Sequence, residues 1–369
     1  MDPIRPDYAG ASVVNVARAL LERGEPSVTT PPWLPALVED ADGVVLLVLD
    51  GLGWSALEEH AAQVPMLKSM QGRAITTVAP TTTAAALTSI TTGLAPSQHG
   101  VVGYRMRIDT GVLNVLRWKL SGQRVNPEPV DVQPHPPFAG RRLPVVTRQE
   151  FTNGGFTGAH MRGSPIHGWR TPSTLIEHCR VLIERGEPLV YAYYDGIDQV
   201  AHTQGLLGRY FEAELGATDR IVTQLVHELP RRAALVVTSD HGQVHFGHEG
   251  WRSLDPLAGL VSTYAGDGRF RSLHAASGAF DELLAGAREH YDDVAWVLTR
   301  DQLFDEGWLG ITAPSRAVRR RIGDVVLAAR EPVAFIDPTH QREVGMLAGH
   351  GSLTPDEMMV PLLADRGRA

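Results

Sequence analysis

Six apolar residues in succession, Val44-Val45-Leu46-Leu47-Val48-Leu49, run directly into Asp50-Gly51. A run without alternation, made of Val and Leu, predicts a strand covered on both faces, as in the interior of a parallel sheet. A carboxylate at the end of such a strand stands where open α/β sheets collect their ligands. Two later stretches repeat the pattern, one ending at Asp195 after Leu189-Val190-Tyr191-Ala192-Tyr193-Tyr194, the other at Asp240 after Ala234-Leu235-Val236-Val237-Thr238-Ser239.

Helical patterns separate these strands. Residues 11–23, 54–60, 84–92, 173–185 and 206–229 each predict a helix, the fourth capped by Ser173 or Thr174 and stopped by Gly186. Shorter strands are expected over 76–79, 112–118 and 156–160, a linker over 30–35 and a proline-rich loop over 126–144. Alternation of this kind predicts an α/β fold, a three-layer sandwich with a mostly parallel central sheet. After His248 the pattern changes to strand 268–274, helix 279–290, strand 294–299 and short helix 300–306. This run predicts a smaller α+β cap at 251–325, inserted into a core formed by 1–250 and 326–369. Residues 325–328 and 333–336 are then expected to return to buried strands.

A formal net charge of -8 argues against a broad nucleic-acid surface and leaves room for a local pocket that takes a small anion. The lone cysteine, Cys179, rules out an internal disulfide, suits a reducing compartment and is assigned to the core. The stretch Met1-Asp2-Pro3-Ile4-Arg5 has no apolar leader, and no membrane-length apolar window occurs, so a cytoplasmic protein is expected. Oligomeric state has no signature in the sequence.

Metal-ligand types gather at the strand ends. Asp50 ends one strand, and Asp240-His241 ends another. Asp198 and His202 are four apart, on one helical face. His350 sits between Gly349 and Gly351, which lets it approach a site closely. Three carboxylates and three imidazoles suit two divalent ions, zinc first and manganese next. Two such ions about 3.5–4 Å apart clamp an in-line displacement at phosphorus. Thr81, Thr82 and Thr83 open a helix, where free amides favour an anion, and one of their hydroxyls could serve as nucleophile.

Together these motifs resemble the alkaline phosphatase superfamily, nearest its type I phosphodiesterase/nucleotide pyrophosphatase branch. The resemblance rests on Leu49-Asp50-Gly51, on Pro80-Thr81-Thr82-Thr83 with Thr92-Gly93-Leu94-Ala95-Pro96-Ser97-Gln98-His99-Gly100, on Asp198 with His202, on Ser239-Asp240-His241-Gly242, and on Gly349-His350-Gly351. It implies that Thr83, the last residue of a Pro-Thr-x-Thr pattern, is the nucleophile, with Thr82 as runner-up. It further implies that Asp50, Asp240 and His241 hold the metal that activates Thr83, and that Asp198, His202 and His350 hold the other. His99-Gly100 would shape a loop. The sulfatase branch needs Cys or Ser in a Cys/Ser-x-Pro-x-Arg pattern, which Thr83-Ala84-Ala85 does not supply; the mutase branch uses Ser.

Where nucleotide pyrophosphatases carry an Asn that holds phosphate, this chain has Tyr104. A phenol still donates but has a different reach, so an alternative anion clamp is sought in Arg105, Arg107, Arg162, Arg269 or Arg271. His245 and His248 are expected to line the substrate pocket or to bond to the ligands, with Glu249 as an acceptor. The activity implied is hydrolysis of phosphate esters or phosphoanhydrides by a phosphodiesterase or pyrophosphatase acting through a phosphothreonine, on a small phosphorylated substrate with a nucleotide among the candidates. Phosphomonoesterase and phosphonate hydrolase come next. A non-catalytic metal-binding protein with the same fold is the alternative of another class.

Overall fold

The computed structural model describes residues 2–25 and 27–369, and the backbone alone at Arg342; Met1 lies outside the described residues. Its central sheet has seven strands, in the order Gln71–Thr76, Met359–Arg366, Ala233–Thr238, Gly43–Leu49, Leu189–Tyr194, Val145–Arg148, Ile166–Trp169. Six run one way; Met359–Arg366 is antiparallel to both its neighbours. The strand that precedes Asp50 is wholly buried, as its unbroken apolar run requires. Val44, Leu46 and Val48 pack in one core with residues of helices Val13–Glu22 and Thr83–Thr92. Val45, Leu47 and Leu49 pack in a second core, which takes residues from helices Pro172–Glu184 and Arg209–Glu228 and includes Cys179.

Register decides where the chemistry falls. Val48 lies opposite both Tyr193 and Thr238, so Asp50, Asp195 and Asp240 leave the sheet at the same edge.

Several short segments differ from expectation. The strand expected at 76–79 is Gln71–Thr76, a polar edge strand whose first three residues are exposed and carry no apolar signal. Residues 156–160 form a helix, Gly155–His160: Phe156, Ala159 and His160 are the buried positions, spaced for one helical face. The strand expected over 112–118 stops at Asn114 and continues as a turn. The loop 126–144 contains two short helical turns, Pro129–Val132 and Pro137–Gly140. The cap of Pro172–Glu184 is Thr171, with the Thr174 hydroxyl accepting from the Thr171 N–H (3.2 Å).

The β-α-β-α run after His248 belongs to a second, antiparallel sheet of four strands: Val261–Gly266, Phe270–Ala275, Val325–Ala329, Ala295–Thr299. Val325–Ala329 therefore pairs here and does not return to the central sheet. Ala334–Phe335 pairs with Trp251–Arg252, and the chain next enters the central sheet at Met359. Helix Phe280–Tyr291 shares a third core with this sheet through Leu283 and Ala287.

One buried ion pair fastens the second sheet to the first. Arg269, on the hairpin between Val261–Gly266 and Phe270–Ala275, donates Nε and Nη2 to the two oxygens of Glu357 (2.8 and 2.9 Å). Glu357 also accepts from the Ser352 N–H (2.9 Å) and the Thr354 hydroxyl (2.6 Å). Replacing Glu357 with Ala strands the guanidinium in the interior and is expected to cost roughly 3–5 kcal/mol. The measurement is the urea midpoint at constant m-value. Combining Glu357→Ala with Arg269→Met removes both charges and is expected to recover most of the loss.

Candidate metal centre

Asp50, at the end of the buried strand, and Asp240-His241, just beyond Ala233–Thr238, bring three ligand atoms within 4.8 Å of one another. His241 Nε2 lies 3.3 Å from Asp50 Oδ1, 3.4 Å from Asp240 Oδ2 and 3.1 Å from the Thr83 hydroxyl. Its Nδ1 faces the Gly242 carbonyl at 3.1 Å. A carbonyl can only accept, so Nδ1 carries the proton and Nε2 presents a lone pair. Asp50 Oδ1 and Asp240 Oδ2 are buried and have no hydrogen-bond partner among the described residues. The opposite oxygens are satisfied: Asp50 Oδ2 accepts from the Tyr193 hydroxyl, and Asp240 Oδ1 from the N–H groups of His241 (3.1 Å) and Gly51 (3.3 Å). The Thr83 hydroxyl can donate to Nε2, but no donor among the described residues meets the two carboxylate oxygens that converge on it; this arrangement favours a cation, and carboxylate and imidazole donors suit zinc or manganese.

The second group is Asp198, His202 and His350. Helix Gly196–Gln204 places Asp198 and His202 one turn apart, with Nε2 3.2 Å from Asp198 Oδ1. His350 Nε2 lies 3.8 Å from the same oxygen. His202 Nδ1 donates to the Ala348 carbonyl (2.9 Å) and His350 Nδ1 to the Thr81 carbonyl (2.8 Å). Gln243 donates to Asp198 Oδ1 (2.8 Å). Backbone carbonyls thus orient all three imidazoles, the usual support for a metal-binding histidine. The groups adjoin: the His241 and His350 rings stack at 3.6 Å.

Electrostatics follow from this crowding. Burial, then the charges of Asp240 and Asp198, push the Asp50 carboxyl well up, against the pull of the Tyr193 hydroxyl. Asp240 is also raised, by burial first, although His241 opposes it. Burial alone would raise Asp198, but His202, His350 and His241 hold it well below the carboxylate range. Burial opposes a charge on His202, yet the Asp198 carboxylate outweighs it and pushes this imidazole up to about 9. Burial and neighbouring His241 keep His350 neutral, well below its ordinary value.

Of the three threonines, Thr83 alone faces His241. It is the first residue of helix Thr83–Thr92, with Thr82 as N-cap. Thr81 instead ties the two loops, accepting from the Gly351 N–H (2.8 Å) and donating to the Ser352 carbonyl (2.9 Å). Thr82 lines a cavity of about 280 Å³ together with Thr83, Tyr104, Trp251 and His350. His99 is buried between Ser89 and the Val101 N–H, inside its loop.

The remaining sequence candidates fall elsewhere. Tyr104 lines the cavity, and burial raises its phenol, which stays a donor. Arg105 does not line it: this buried side chain is ion-paired with Asp337. Arg271 pairs with Glu343 (2.9 Å), Arg269 with Glu357, Arg107 lies beside His274 (3.4 Å), and Arg162 donates to three backbone carbonyls. Internal acceptors claim Arg105, Arg162, Arg269 and Arg271, which arginine counting cannot reveal, and exposed Arg107 lines a different cavity with Arg300, Arg320 and Arg321. His245 is also off the cavity wall. It accepts from the Leu206 N–H (3.3 Å) and pairs across a short ladder with Ala348, bracing the loop after His202. His248 and Glu249 are exposed. Asp195 joins neither metal group and pairs with Arg148 (3.0 Å). Arg117, exposed on the cavity rim, and Asp267, buried in its wall, had no motif to announce them.

A doubly covered, mostly parallel sheet with two carboxylate–imidazole groups at its carboxyl edge is the architecture of the alkaline phosphatase superfamily. Within it, the chain belongs to the type I phosphodiesterase / nucleotide pyrophosphatase family, whose model matches residues 44–176 and 181–353. It is similar in fold to murine ectonucleotide pyrophosphatase / phosphodiesterase 5, with a TM-score of 0.65 and 16% identity over 88% of this chain and 90% of that one. It is also similar to phosphonoacetate hydrolase from Sinorhizobium meliloti 1021, solved with phosphonoformate, with a TM-score of 0.62 and 20% identity over 91% of each chain. Comparison with curated protein sequences finds no match. Among the described residues, no helix is long and apolar enough to cross a membrane.

The pKa shifts set a sign for metal-free stability. Groups raised in the folded state bind protons more tightly there, so their contribution is lost as pH rises. For His202 the window runs from its ordinary value of 6.5 to about 9, and for Asp50 and Asp240 it opens above 3.8. The depressed values of His350 and Asp198 act below 6.5 and 3.8. In chelator the melting temperature is expected to fall between pH 6.5 and 9, and added zinc or manganese is expected to abolish that fall. A flat profile in chelator would contradict this electrostatic picture.

Proposed function

We propose that this chain hydrolyses phosphodiesters or phosphoanhydrides, with Thr83 as nucleophile and two divalent ions held by Asp50, Asp240 and His241 and by Asp198, His202 and His350. Zinc fits the donor set best, with manganese next. When bound, such ions supply positive charge to the phosphoryl oxygens and to the attacking hydroxyl.

The observation that carries this reading is the position of Thr83 at the junction of two cavities. One, about 280 Å³, extends toward Tyr104, Phe246 and Trp251. The other, also about 280 Å³, extends toward Phe151, Phe156 and Tyr193. Both include Thr83, Leu116 and Asp198 in their walls. A diester or anhydride has an arm for each cavity, whereas a monoester fills one. The solved ectonucleotide pyrophosphatase / phosphodiesterase 5 in complex with AMP is in keeping with a nucleotide arm.

The residues of the chain then act as follows. The helix beginning at Thr83 offers free N–H groups and a positive dipole end to the phosphoryl anion. The Tyr104 phenol donates from the cavity wall in place of an amide. Attack by Thr83 Oγ1 forms an oxygen–phosphorus bond and breaks the bond to one arm, which departs and takes up a proton. Thr83 now carries a phosphoryl group still esterified to the other arm. Water attacks that phosphorus, the bond to Oγ1 breaks, and the hydroxyl is regenerated.

The test is turnover of p-nitrophenyl phosphate, bis-p-nitrophenyl phosphate and a phosphonate panel with zinc or manganese. The diester is expected to exceed the monoester by about tenfold or more in kcat/KM, a difference of little over 1 kcal/mol in barrier. Thr83→Ala is expected to lose on the order of 1,000-fold or more, and Thr83→Ser to retain part of the rate. Activity that survives Thr83→Ala sinks the covalent route. Monoester preference points to a phosphomonoesterase, phosphonate turnover alone to a phosphonate hydrolase, and no turnover of any to a metal-binding protein.

A further inference from the structure

A third cavity, of about 660 Å³, lies away from Thr83. It forms where the turn of the hairpin Arg105–Ile108/Gly111–Asn114, the short helix Pro129–Val132 and the segment that links Arg316–Arg319 to Val325–Ala329 come together. None of its lining residues lines either cavity beside Thr83. Arg107, Arg300, Arg320 and Arg321 line it. Arg300 is taken by Asp324 (2.8 Å), which also accepts from the Ala275 N–H (2.8 Å). The other three guanidiniums have no carboxylate partner among the described residues. Asp109 and Asp131, the remaining carboxylates in the wall, are exposed and join no ion pair among the described residues. Arg321 is half-buried and firmly held, its Nη1 donating to the carbonyls of Gly100 (2.6 Å) and Val132 (2.9 Å). Its Nε and Nη2 make no hydrogen bond among the described residues, and both keep access to solvent. These two nitrogens share one edge of the guanidinium, the edge by which Arg269 holds Glu357. Burial pulls the Arg321 guanidinium below its ordinary value, with Asp109 opposing. His274, 3.4 Å from Arg107, senses the same field: burial, then Arg107, push its imidazole down to about 4, with Asp324 opposing.

A half-buried cation without a counter-ion carries a desolvation cost that a bound anion removes. In a chain of net charge -8, a cavity with surplus guanidinium is an exception, and it concentrates anions locally. A guanidinium edge fits carboxylate and phosphoryl oxygens alike. Three unpaired guanidiniums, however, exceed what one carboxylate with two oxygens and a single charge can satisfy, and they suit an anion with several of each. Among the described residues no aromatic side chain lines the cavity, so recognition rests on the anionic groups themselves. We propose that this cavity is a binding site, separate from the metal centre, for a small anion with two or more phosphoryl groups, held side-on by Nε and Nη2 of Arg321 and by the guanidiniums of Arg107 and Arg320. The site stands independently of the activity assigned to Thr83.

The test uses full-length, zinc-loaded protein with methylenediphosphonate as the probe. Phenylglyoxal modifies accessible arginines, and mass spectrometry reads each one. At saturation the probe is expected to slow modification of Arg107 and Arg320 about tenfold and to leave Arg73 and Arg185, exposed on other faces, unchanged. Methylphosphonate, with a single phosphonyl group, is expected to need about tenfold higher concentration. α,β-Methylene-ADP is expected to bind within about tenfold of the probe, and far tighter binding would mark a nucleoside site and overturn the proposal. Calorimetric titration of metal-free protein is expected to give one equivalent bound. The affinity is expected to fall about tenfold or more in Arg107→Gln/Arg320→Gln, and likewise in Arg321→Lys, which keeps the charge without the fork. The first variant changes two exposed side chains and is expected to turn over bis-p-nitrophenyl phosphate at the native rate. Shielding confined to Arg117 would place the anion at the catalytic cavity, and equal slowing of every exposed arginine would mean loose ionic screening. Either result overturns the site, as does an affinity unaltered in Arg107→Gln/Arg320→Gln. Should Arg321→Lys fail to fold, that double variant decides.

Discussion

Three carboxylates crowded at one edge of a sheet, two buried and one partly so, cannot all stay ionised without positive charge among them. Asp50, Asp240 and Asp198 are in that position, and much of the fold is organised around it. The parallel register of the strands brings the first two together, and the helix after Tyr194 swings the third into place. Partial compensation comes from the Tyr193 hydroxyl, the Gly51 and His241 amides, Gln243 and the three imidazoles. What is left over is a pair of unpartnered oxygens beside the Thr83 hydroxyl. The residual negative potential of the interior is thereby concentrated where the family's chemistry needs a divalent ion.

The imidazoles show how little of this arrangement is left to side-chain choice. His202, His241 and His350 each hand a ring proton to a main-chain carbonyl, of Ala348, Gly242 and Thr81. Each is thereby turned with Nε2 toward a carboxylate before any ion arrives. Thr81 contributes twice, through its carbonyl to His350 and through its hydroxyl to Gly351 and Ser352. The loop carrying the three threonines and the loop carrying His350 are consequently one hydrogen-bonded unit. Glu357 extends that unit to the second sheet through Arg269.

How much was legible in the sequence depended on whether a residue's role is local. The unbroken run before Asp50, the four-residue spacing of Asp198 and His202, and the glycines around His350 are local patterns, and the structure brings those six ligand types into two adjoining groups. The arginines were not legible, because whether a guanidinium is free depends on which distant acceptor it meets. Arg105 meets Asp337, and Arg271 meets Glu343. The four-stranded sheet was half legible: Phe270–Ala275 and Ala295–Thr299 stand out, Val261–Gly266 was not expected, and Val325–Ala329 looks like any buried strand, since pairing is a non-local decision. The helix Gly155–His160 was hidden by a misread period, since Phe156-Thr157-Gly158-Ala159-His160 reads as a short strand when taken alone and buries one face as a helix. The edge strand Gln71–Thr76 was missed because its exposed residues have no reason to be apolar.

The place of Met359–Arg366 has a consequence for how the molecule comes into being. This strand lies inside the central sheet, between Gln71–Thr76 and Ala233–Thr238. During synthesis Gln71–Thr76, which leads into the threonine loop, gains its ladder partner only when Met359–Arg366 emerges, although Thr76 can bridge Ser12 much earlier. The opening strand can pair with its parallel partners much earlier. A nascent chain can therefore hold a nearly complete scaffold while Thr81 still lacks Gly351, Ser352 and His350, so the site is assembled in one late closing event rather than by degrees.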